Sequence, residues 1–288
     1  MGPLTVPPAR RSDGRLPDFV IVGAARAGST ALHAYLSDHP EVYLPPRKEL
    51  HYFDNNFHRG IGWYRSQFRQ AGHQAVVGEA TPSYMFSPRW LDRLASVLPD
   101  ARLIALLRHP VDRAYSHYWM NRGQGREALP FTDALNAEAE RLRSGGLAAR
   151  RFAYVGGGRY LGQLNEICHR YPRRQLHVVI FDDLRADPAS VYAELCRFLG
   201  VDDGFRPATL GRPVNAPTAL RSPALWRLGR RLPRNMAPVR RALARVNERP
   251  LLYPALDPAT RRHLVATFEP EVEALARWLG RDLSAWRS

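Results

Sequence analysis

Short, continuous runs of apolar residues recur along the chain, and longer stretches with apolar positions at helical spacing separate them. Continuous runs are typical of parallel strands that are covered on both faces. Strands that alternate with helices favour right-handed crossovers. The pattern therefore predicts an α/β fold: a central, mostly parallel sheet of about five strands, with helices on both faces. The predicted strands are Phe19–Gly23, Val42–Leu44, Ala75–Gly78, Leu103–Leu107 and Leu176–Phe181.

Several of the amphipathic segments begin with proline, whose missing N–H costs nothing in the first helical turn. The last segment follows Asp257, a residue type that commonly caps a helix N-terminus. The predicted helices are Ser29–Ser37, Ile61–Arg69, Pro88–Leu98, Pro110–Asn121, Phe131–Arg143, Tyr160–Tyr171, Pro188–Leu199 and Pro258–Leu279.

The composition changes at two places along the chain. Residues 1–17 are rich in Pro, Arg and Gly, which predicts a disordered tail before a single domain over residues 18–288. Residues 201–254 are irregular and rich in Pro and Arg, so we expect a loop with short helices there, and a candidate lid. No apolar run is long enough to cross a bilayer, and the N-terminal residues lack a hydrophobic signal core. A cytoplasmic location is expected.

The net charge of +15 would usually favour an acidic partner such as nucleic acid. Of the 42 basic residues, however, only Lys48 is a lysine, and most arginines are dispersed outside a cluster between Arg227 and Arg245. Such a bias is typical of a GC-rich genome and indicates a bacterial origin. We therefore expect no nucleic-acid partner.

A glycine-bounded turn joins the first predicted strand to the first predicted helix. The helix N-terminus exposes unpaired N–H groups, which favours an anion beside Gly28 and Ser29. The spacing of Gly23 and Gly28 is that of a P-loop, yet Ser29 stands where a nucleoside triphosphatase has lysine. The basic residue lies inside the loop, as Arg26. A turn that only connects strand and helix is the alternative.

A second anion signal lies where the fourth predicted strand ends. Arg108 is placed at the carboxyl edge of the sheet, where open α/β folds bind ligands. Ser116 lies about two helical turns into the following helix and can present its hydroxyl to the same group. Two anion sites on one edge indicate a nucleotide with phosphate at both ends, whereas an arginine that only caps the sheet edge is the alternative.

Two further residues are candidates for proton transfer. Glu79 ends the third predicted strand at the same edge and can accept a proton from a hydroxyl or an amine, unless it forms a structural ion pair. Lys48 is the only lysine of the chain, which indicates a need for a compact, titratable ammonium group. His51 lies among aromatic residues and is predicted to pack or to hydrogen-bond rather than to act as a base.

Taken together, these segments resemble the PAPS-dependent sulfotransferases, in the branch of the heparan-sulfate sulfotransferases and their bacterial relatives. The resemblance runs from about Asp18 to the end of the chain, and the order of the motifs makes it specific. The motifs are the loop from Gly23 to Thr30, Lys48-Glu49-Leu50-His51-Tyr52-Phe53-Asp54, Gly62-Trp63-Tyr64, Glu79-Ala80-Thr81-Pro82-Ser83-Tyr84, Arg108-His109-Pro110 with Ser116, Phe181-Asp182-Asp183-Leu184 and the helix after Leu256-Asp257-Pro258.

This resemblance implies transfer of a sulfuryl group from PAPS (3′-phosphoadenosine 5′-phosphosulfate), without a metal. The acceptor would be a hydroxyl or an amine of a glycan, a glycolipid or a small molecule. It also implies that Arg108 and Ser116 hold the 3′-phosphate and that Glu79 is the general base. The residues implied for the 5′-phosphosulfate are Arg26, Ala27, Gly28, Ser29 and Thr30.

The sequence departs from the family in two places. Many members have lysine where this chain has Arg26; arginine stays protonated, so Arg26 is expected to stabilise charge without acting as an acid. Lys48 is expected to supply part of that role. The animal enzymes also carry a lysine-glycine-arginine loop near the C-terminus, which is missing here, and Arg221 or Arg249 are the candidate substitutes.

Two other functions remain open at this point. A P-loop-type kinase or nucleotide-dependent transferase would use Asp182 or Asp183 as a metal-binding carboxylate. The missing lysine after Gly28 and the pair Arg108 and Ser116 argue against it. A catalytically inactive PAPS-binding relative is the third hypothesis, and Glu79 argues against that one.

Overall fold

The five predicted strands form a single parallel sheet, as the sequence predicted. The structure is a computed structural model that describes residues 14–143, 145–212, 218–222, 225, 233, 236, 239, 242–243, 246–250 and 253–288. The strand order is β2-β3-β1-β4-β5, and every pair is parallel. The strands are β1 (Phe19–Gly23), β2 (Val42–Tyr43), β3 (Val76–Ala80), β4 (Arg102–Leu107) and β5 (Leu176–Ile180).

Helices connect the strands. Those of the first half are α1 (Ser29–Ser37), α2 (Gly60–Ser66), α3 (Pro88–Val97), α4 (Pro110–Gly123), α5 (Phe131–Asn136) and α6 (Glu138–Arg143). Those of the second half are α7 (Gly146–Phe152), α8 (Tyr160–Cys168), α9 (Phe181–Ala186), α10 (Pro188–Leu199) and α11 (Pro258–Leu279). Every residue of β1 and β3 is buried, so both faces of the sheet are covered.

The strand order places a topological switch point beside β1. From β1 the chain first builds β2 and β3 on one side of the sheet and then crosses to β4 and β5 on the other side. The loops that leave the carboxyl ends of β1, β3 and β4 therefore diverge and leave a crevice, which is where open α/β sheets bind ligands. The N-terminus of α1 lies at this crevice.

Several predicted boundaries change in the structure. The predicted helix Phe131–Arg143 is divided at Ala137 into α5 and α6. Glu79 lies inside β3 rather than beyond its end, because β3 continues to Ala80. Helices α7 and α9 were not predicted, since they are short and follow another element almost directly.

Residues 14–17, the last of the predicted tail, contact the domain. Arg15 donates a hydrogen bond to the carbonyl of Gln74 at 2.9 Å and pairs with Asp18, and Leu16 packs against the core. These contacts hold Arg15 and Leu16 beside the start of β3. Residues 1–13 of the predicted tail lie outside the described residues.

The segment predicted as irregular, residues 201–254, is described only in part. Its described residues include a short antiparallel pair, β6 (Thr218–Leu220) and β7 (Glu248–Pro250). Its first residues reach the crevice, because Gly211 and Arg212 line it. The arginine cluster between residues 227 and 245 lies outside the described residues. Within the described part of the chain, none of the helices combines the length and the apolar character needed to cross a membrane.

Candidate active site

A cavity of about 780 Å³ occupies the crevice at the carboxyl edge of the sheet. Residues from the ends of four strands line it, so chain segments that are distant in sequence meet there. The basic residues that line the cavity are Arg26, Lys48, Arg108, Arg113, Arg126, Arg150, Arg151, Arg185 and Arg212, and the acidic one is Glu49. This charge distribution favours an anionic ligand.

The loop between β1 and α1 has the backbone of an anion cradle. Gly28 has a φ of 100°, in the left-handed region that glycine tolerates best. A Cβ at this position would lie 2.8 Å from the ring of Phe181, so glycine also provides the room. Arg26 has a φ of 73°, which turns the loop beside the first N–H groups of α1. The predicted loop residues Ala27, Ser29 and Thr30 follow directly, and Ser29 and Thr30 line the cavity.

The structure brings together Arg26 and Ser116, which the sequence placed at opposite ends of a nucleotide. The guanidinium of Arg26 donates two hydrogen bonds to Ser116 Oγ, from Nε at 3.1 Å and from Nη2 at 3.0 Å. Burial and the positive charges of Arg108 and Arg113 lower the pKa of Arg26, against an opposing effect of Tyr253. Arg26 therefore stands among like charges, and an anion in the cavity would relieve their repulsion.

Arg108 lies at the carboxyl end of β4, as predicted. Its guanidinium carbon lies 5.0 Å from the centre of the Phe181 ring, and Nη1 donates to the carbonyl of Arg26 at 3.4 Å. The hydroxyl of Tyr160 donates to the carbonyl of Arg108 at 2.8 Å and fixes this strand end. Both Arg108 and Phe181 line the cavity, so a cation and an aromatic face are presented together.

Lys48 reaches the same loop from the segment after β2. Its Nζ donates to Thr30 Oγ1 at 2.7 Å and to Ser29 Oγ at 3.2 Å. Burial lowers the pKa of Lys48, Glu49 opposes the shift and the charge of Arg26 adds to it. A lysine with a lowered pKa is a better proton donor than the arginine of the loop.

Glu79, the predicted base, is 1% exposed and does not line the cavity. One carboxylate oxygen accepts hydrogen bonds from Thr81 Oγ1 and from the hydroxyl of Tyr84, both at 2.7 Å, and the other accepts from the hydroxyl of Tyr64. Burial raises the pKa of Glu79, and these three hydrogen bonds reduce the shift. In this structure the carboxylate of Glu79 is thus held by three hydroxyl donors and does not face the cavity.

Among the described residues, the carboxylate that lines the cavity belongs to Glu49, which the sequence marks only as a member of the segment from Lys48 to Asp54. Its Oε2 lies 3.4 Å from His51 Nε2, and its Oε1 lies 3.8 Å from Lys48 Nζ. His51 Nδ1 in turn lies 2.9 Å from Asp54 Oδ2. Arg150 pairs with the same carboxylate of Asp54. The result is a network of alternating charges that ends in the cavity at Glu49.

The pKa values of His51 and Glu49 follow from the contacts in this network. Burial disfavours the imidazolium of His51, but its hydrogen bonds to Asp54 and Glu49 outweigh burial and raise the pKa of His51 to about 9. Burial likewise opposes ionisation of Glu49, yet the hydrogen bond from His51 and the charge of Lys48 hold the pKa of Glu49 below its usual value. At neutral pH, His51 is therefore a cation and Glu49 a carboxylate.

The raised pKa of His51 predicts a pH-dependent stability. Protonation of His51 stabilises the fold fully below the unfolded pKa of 6.5, and this contribution is lost as the pH rises through about 9. The shift corresponds to at most about 3 kcal/mol. We expect the free-energy difference between the native protein and His51→Gln to shrink by up to that amount between about pH 6 and about pH 9.5. Urea unfolding at both pH values measures it, and a constant difference contradicts it.

Two other predicted roles change. Arg221, a predicted cofactor ligand, does not line the cavity; its backbone N–H donates to the carbonyl of Asn247 at 2.6 Å, beside the β6–β7 pair. Arg212 lines the cavity instead, and the sequence signal was its place directly after Gly211. Arg249, the other candidate substitute, lies in β7 and pairs with Ala219.

The carboxylates required by the kinase hypothesis are engaged elsewhere. Asp182 accepts a hydrogen bond from Trp286 Nε1 at 2.9 Å, and Asp183 forms an ion pair with Arg281. Neither aspartate lines the cavity, although their neighbours Phe181 and Leu184 do. In this arrangement the two carboxylates fasten the C-terminal residues to the end of β5.

The fold and the cavity define a class of protein: an open α/β protein with a strongly basic crevice at the N-terminus of the first helix. The family follows from comparison with known proteins, because the profile of the sulfotransferase domain matches residues 16–207. The chain belongs to the sulfotransferase domain family. The resemblance stated from the sequence is thus confirmed.

Individual relatives agree with this membership. The chain is 33% identical over 196 residues to human bifunctional heparan sulfate N-deacetylase/N-sulfotransferase 3. The match covers 65% of this chain and 22% of that protein. The chain is also 30% identical over 187 residues to mouse heparan sulfate glucosamine 3-O-sulfotransferase 3A1, a match that covers 65% of this chain and 46% of that protein. The chain thus matches less than half the length of these relatives.

A solved structure extends the similarity to almost the whole chain. The crystal structure of a sulfotransferase from Alicyclobacillus acidocaldarius has a TM-score of 0.74 and 30% sequence identity. It covers 95% of this chain and all of that chain. This neighbour is bacterial, which agrees with the origin indicated by the arginine bias.

Proposed function

We propose that the protein transfers a sulfuryl group from PAPS to a hydroxyl or an amine of an acceptor. The observation that carries the proposal is the basic cavity at the switch point, which Arg26 and Lys48 line beside the α1 N-terminus and Arg108 lines at the end of β4. A donor that carries several negative charges, as PAPS does, matches this concentration of positive charge. Family membership supplies the reaction class.

The residues present fit PAPS. Loop residues Arg26 to Thr30 and the N–H groups of α1 would hold the 5′-phosphosulfate. Arg108 and Ser116 would hold the 3′-phosphate, for which Ser116 must exchange its hydrogen bonds with Arg26. Phe181 offers a ring for the adenine. When bound, PAPS supplies an activated sulfuryl group on a phosphate leaving group.

We assign the general base to Glu49 rather than to Glu79. In the transfer, the acceptor oxygen or nitrogen forms a bond to sulfur, the bond from sulfur to the 5′-phosphate oxygen breaks, and the acceptor proton passes to Glu49. His51 holds the carboxylate of Glu49 in place, and Asp54 holds His51. Glu49 has a φ of 61° and His51 a φ of 53°, so the backbone is turned sharply on both sides of Leu50 to present this carboxylate.

The leaving group gains negative charge as the bond breaks. Arg26 would stabilise this charge by hydrogen bonds without losing its proton. Lys48 contacts the first residues of α1 from the segment after β2, and its lowered pKa suits it to donate a proton to the departing phosphate oxygen. Arg26 and Lys48 thus share a task that the sequence resemblance assigns to a single lysine of the loop.

The names of the relatives guide the acceptor. One is an N-sulfotransferase and another a 3-O-sulfotransferase of heparan sulfate, so both amine and hydroxyl acceptors occur among similar proteins. We therefore infer a glycan, a glycolipid or a related small molecule as acceptor for this chain. The cavity lining includes aromatic and polar side chains such as Tyr35, Phe86 and Ser83, which suit such ligands.

Ligand-dependent thermal stability tests the donor. A ligand that binds only the folded state raises the melting temperature. We expect adenosine 3′,5′-bisphosphate to stabilise the protein without magnesium, and Arg108→Ala to lose about 2 kcal/mol or more of that binding energy. Arg185→Ala, which removes a different arginine of the cavity lining, is the comparison variant and should lose less of that binding energy. Stabilisation only by ATP with magnesium contradicts the proposal.

A further inference from the structure

A third arginine belongs to the nucleotide end of the cavity, although no motif pointed to it. Arg113 is in the first turns of α4 and is 2% exposed, yet it lines the same cavity as Arg26 and Arg108. A buried guanidinium is costly unless an opposite charge compensates for it. The question is which group compensates for the charge of Arg113.

The contacts of Arg113 supply hydrogen bonds but little negative charge. Its Nη2 donates to the backbone carbonyls of Ala153, at 3.0 Å, and of Tyr154. Within the described part of the chain, Arg113 forms no ion pair and its Nε has no hydrogen-bond partner. Glu138 acts on it electrostatically, but that carboxylate accepts the backbone N–H groups of Val155 and Gly156 at 2.8 and 2.7 Å.

The guanidinium is also fixed in place. Gly157 lies directly against it, and a Cβ at this glycine would be 2.8–2.9 Å from three guanidinium atoms. Real side chains do not approach so closely, so the missing side chain of Gly157 is what allows Arg113 its position. The charge is therefore held beside the cavity before any ligand arrives, and it costs no reorganisation on binding.

The position of Arg113 along the chain points to the phosphate concerned. Arg108 ends β4, and Arg113 and Ser116 are three residues apart on α4, which places them on the same side of that helix. The charges of Arg108 and Arg113 each lower the pKa of Arg26. Three guanidinium groups thus act on one small region, where they favour a doubly charged phosphate.

We propose that Arg113 is a positioning residue that anchors the 3′-phosphate of the nucleotide through its charge. This inference rests on the proposed PAPS-dependent function. It assigns to Arg113 a part of the discrimination between a nucleotide that carries a ribose phosphate monoester and one that lacks it. Because the guanidinium of Arg113 is buried beside the cavity, its charge acts on a bound phosphate even without a direct hydrogen bond.

Calorimetric titration of two nucleotides tests the proposal. The native protein should bind adenosine 3′,5′-bisphosphate more tightly than adenosine 5′-phosphate. Arg113→Gln removes the charge but keeps a hydrogen-bond donor for the two carbonyls. We expect this variant to bind the bisphosphate about tenfold more weakly, and the 5′-phosphate less than about threefold more weakly, than the native protein. Arg113→Lys, which keeps the charge, should preserve most of the discrimination. If Arg113 had only a structural role, Arg113→Gln would lower the affinity for both nucleotides by the same factor. That result overturns the proposal.

A second variant keeps the proposal testable if Arg113→Gln does not fold. Gly157→Ala leaves Arg113 in the sequence but displaces its guanidinium, and it should show the same selective loss of bisphosphate affinity. Equal discrimination in Gly157→Ala and the native protein contradicts the role of Arg113. If the native protein discriminates and Arg113→Gln does so equally, only the Arg113 proposal fails. If the native protein binds neither nucleotide, the proposed function fails with it.

Discussion

Glu49→Gln is expected to lower kcat by about 10²–10⁴-fold while the affinity for adenosine 3′,5′-bisphosphate stays within about threefold. The amide keeps the size of the side chain and a hydrogen-bond acceptor toward His51, but it cannot take the proton of the acceptor. Because the side chain of Glu49 is 42% exposed, its replacement should leave the fold intact. Rates of sulfuryl transfer to a responsive acceptor measure kcat. Nucleotide titration measures the affinity, and thermal unfolding measures the stability of the fold.

Glu79→Gln is the matched control for this experiment. The same chemical change at a buried carboxylate outside the cavity should reduce stability but leave kcat, per folded molecule, within about tenfold of the native value. If instead Glu79→Gln abolished turnover without loss of stability while Glu49→Gln stayed active, the assignment of the base to Glu49 would be wrong. The base expected from the sequence, Glu79, would then be correct.

The sheet was predictable from the sequence because its strands are continuous apolar runs, and such runs have few other uses in a chain of this length. The loop from Gly23 to Thr30 was predictable for a related reason: its glycines stand between a strand pattern and a helix pattern. Boundaries were harder. The end of β3 at Ala80 depends on pairing with β1, which no local pattern encodes.

The individual roles of site residues depended on contacts between distant segments. Burial of Glu79 results from Tyr64 and Tyr84, whose hydroxyls turn toward it from two different elements. The motif around Glu79 contains Thr81 and Tyr84, but the third donor, Tyr64, lies in α2, and its approach is not encoded locally. Glu49 stood next to the conspicuous Lys48, and that neighbourhood was the available signal. Arg113 had a weaker one, its place between Arg108 and Ser116.

The largest stability effect is expected for Glu79→Ala. Three buried hydroxyl donors, those of Tyr64, Thr81 and Tyr84, would lose their acceptor at once. Each unsatisfied buried group costs about 1–3 kcal/mol, and we expect a total loss of about 3–5 kcal/mol in the free energy of unfolding. The effect also reaches the segment that carries Glu49, since the hydroxyl of Tyr84 accepts the N–H of Tyr52 at 2.8 Å.

Matched single substitutions show whether this hydrogen-bond network causes the loss of stability in Glu79→Ala. Tyr64→Phe removes one donor with its acceptor retained and should cost about 1 kcal/mol, whereas Tyr84→Phe should cost more because it also leaves the N–H of Tyr52 without its partner. Combining Tyr64→Phe with Glu79→Ala should cost less than the sum of the two, since the first change removes a group that the second leaves unsatisfied. Urea unfolding of the four proteins measures these energies. Strict additivity, or a loss below about 1 kcal/mol for Glu79→Ala, would show that the carboxylate does not hold this part of the fold together.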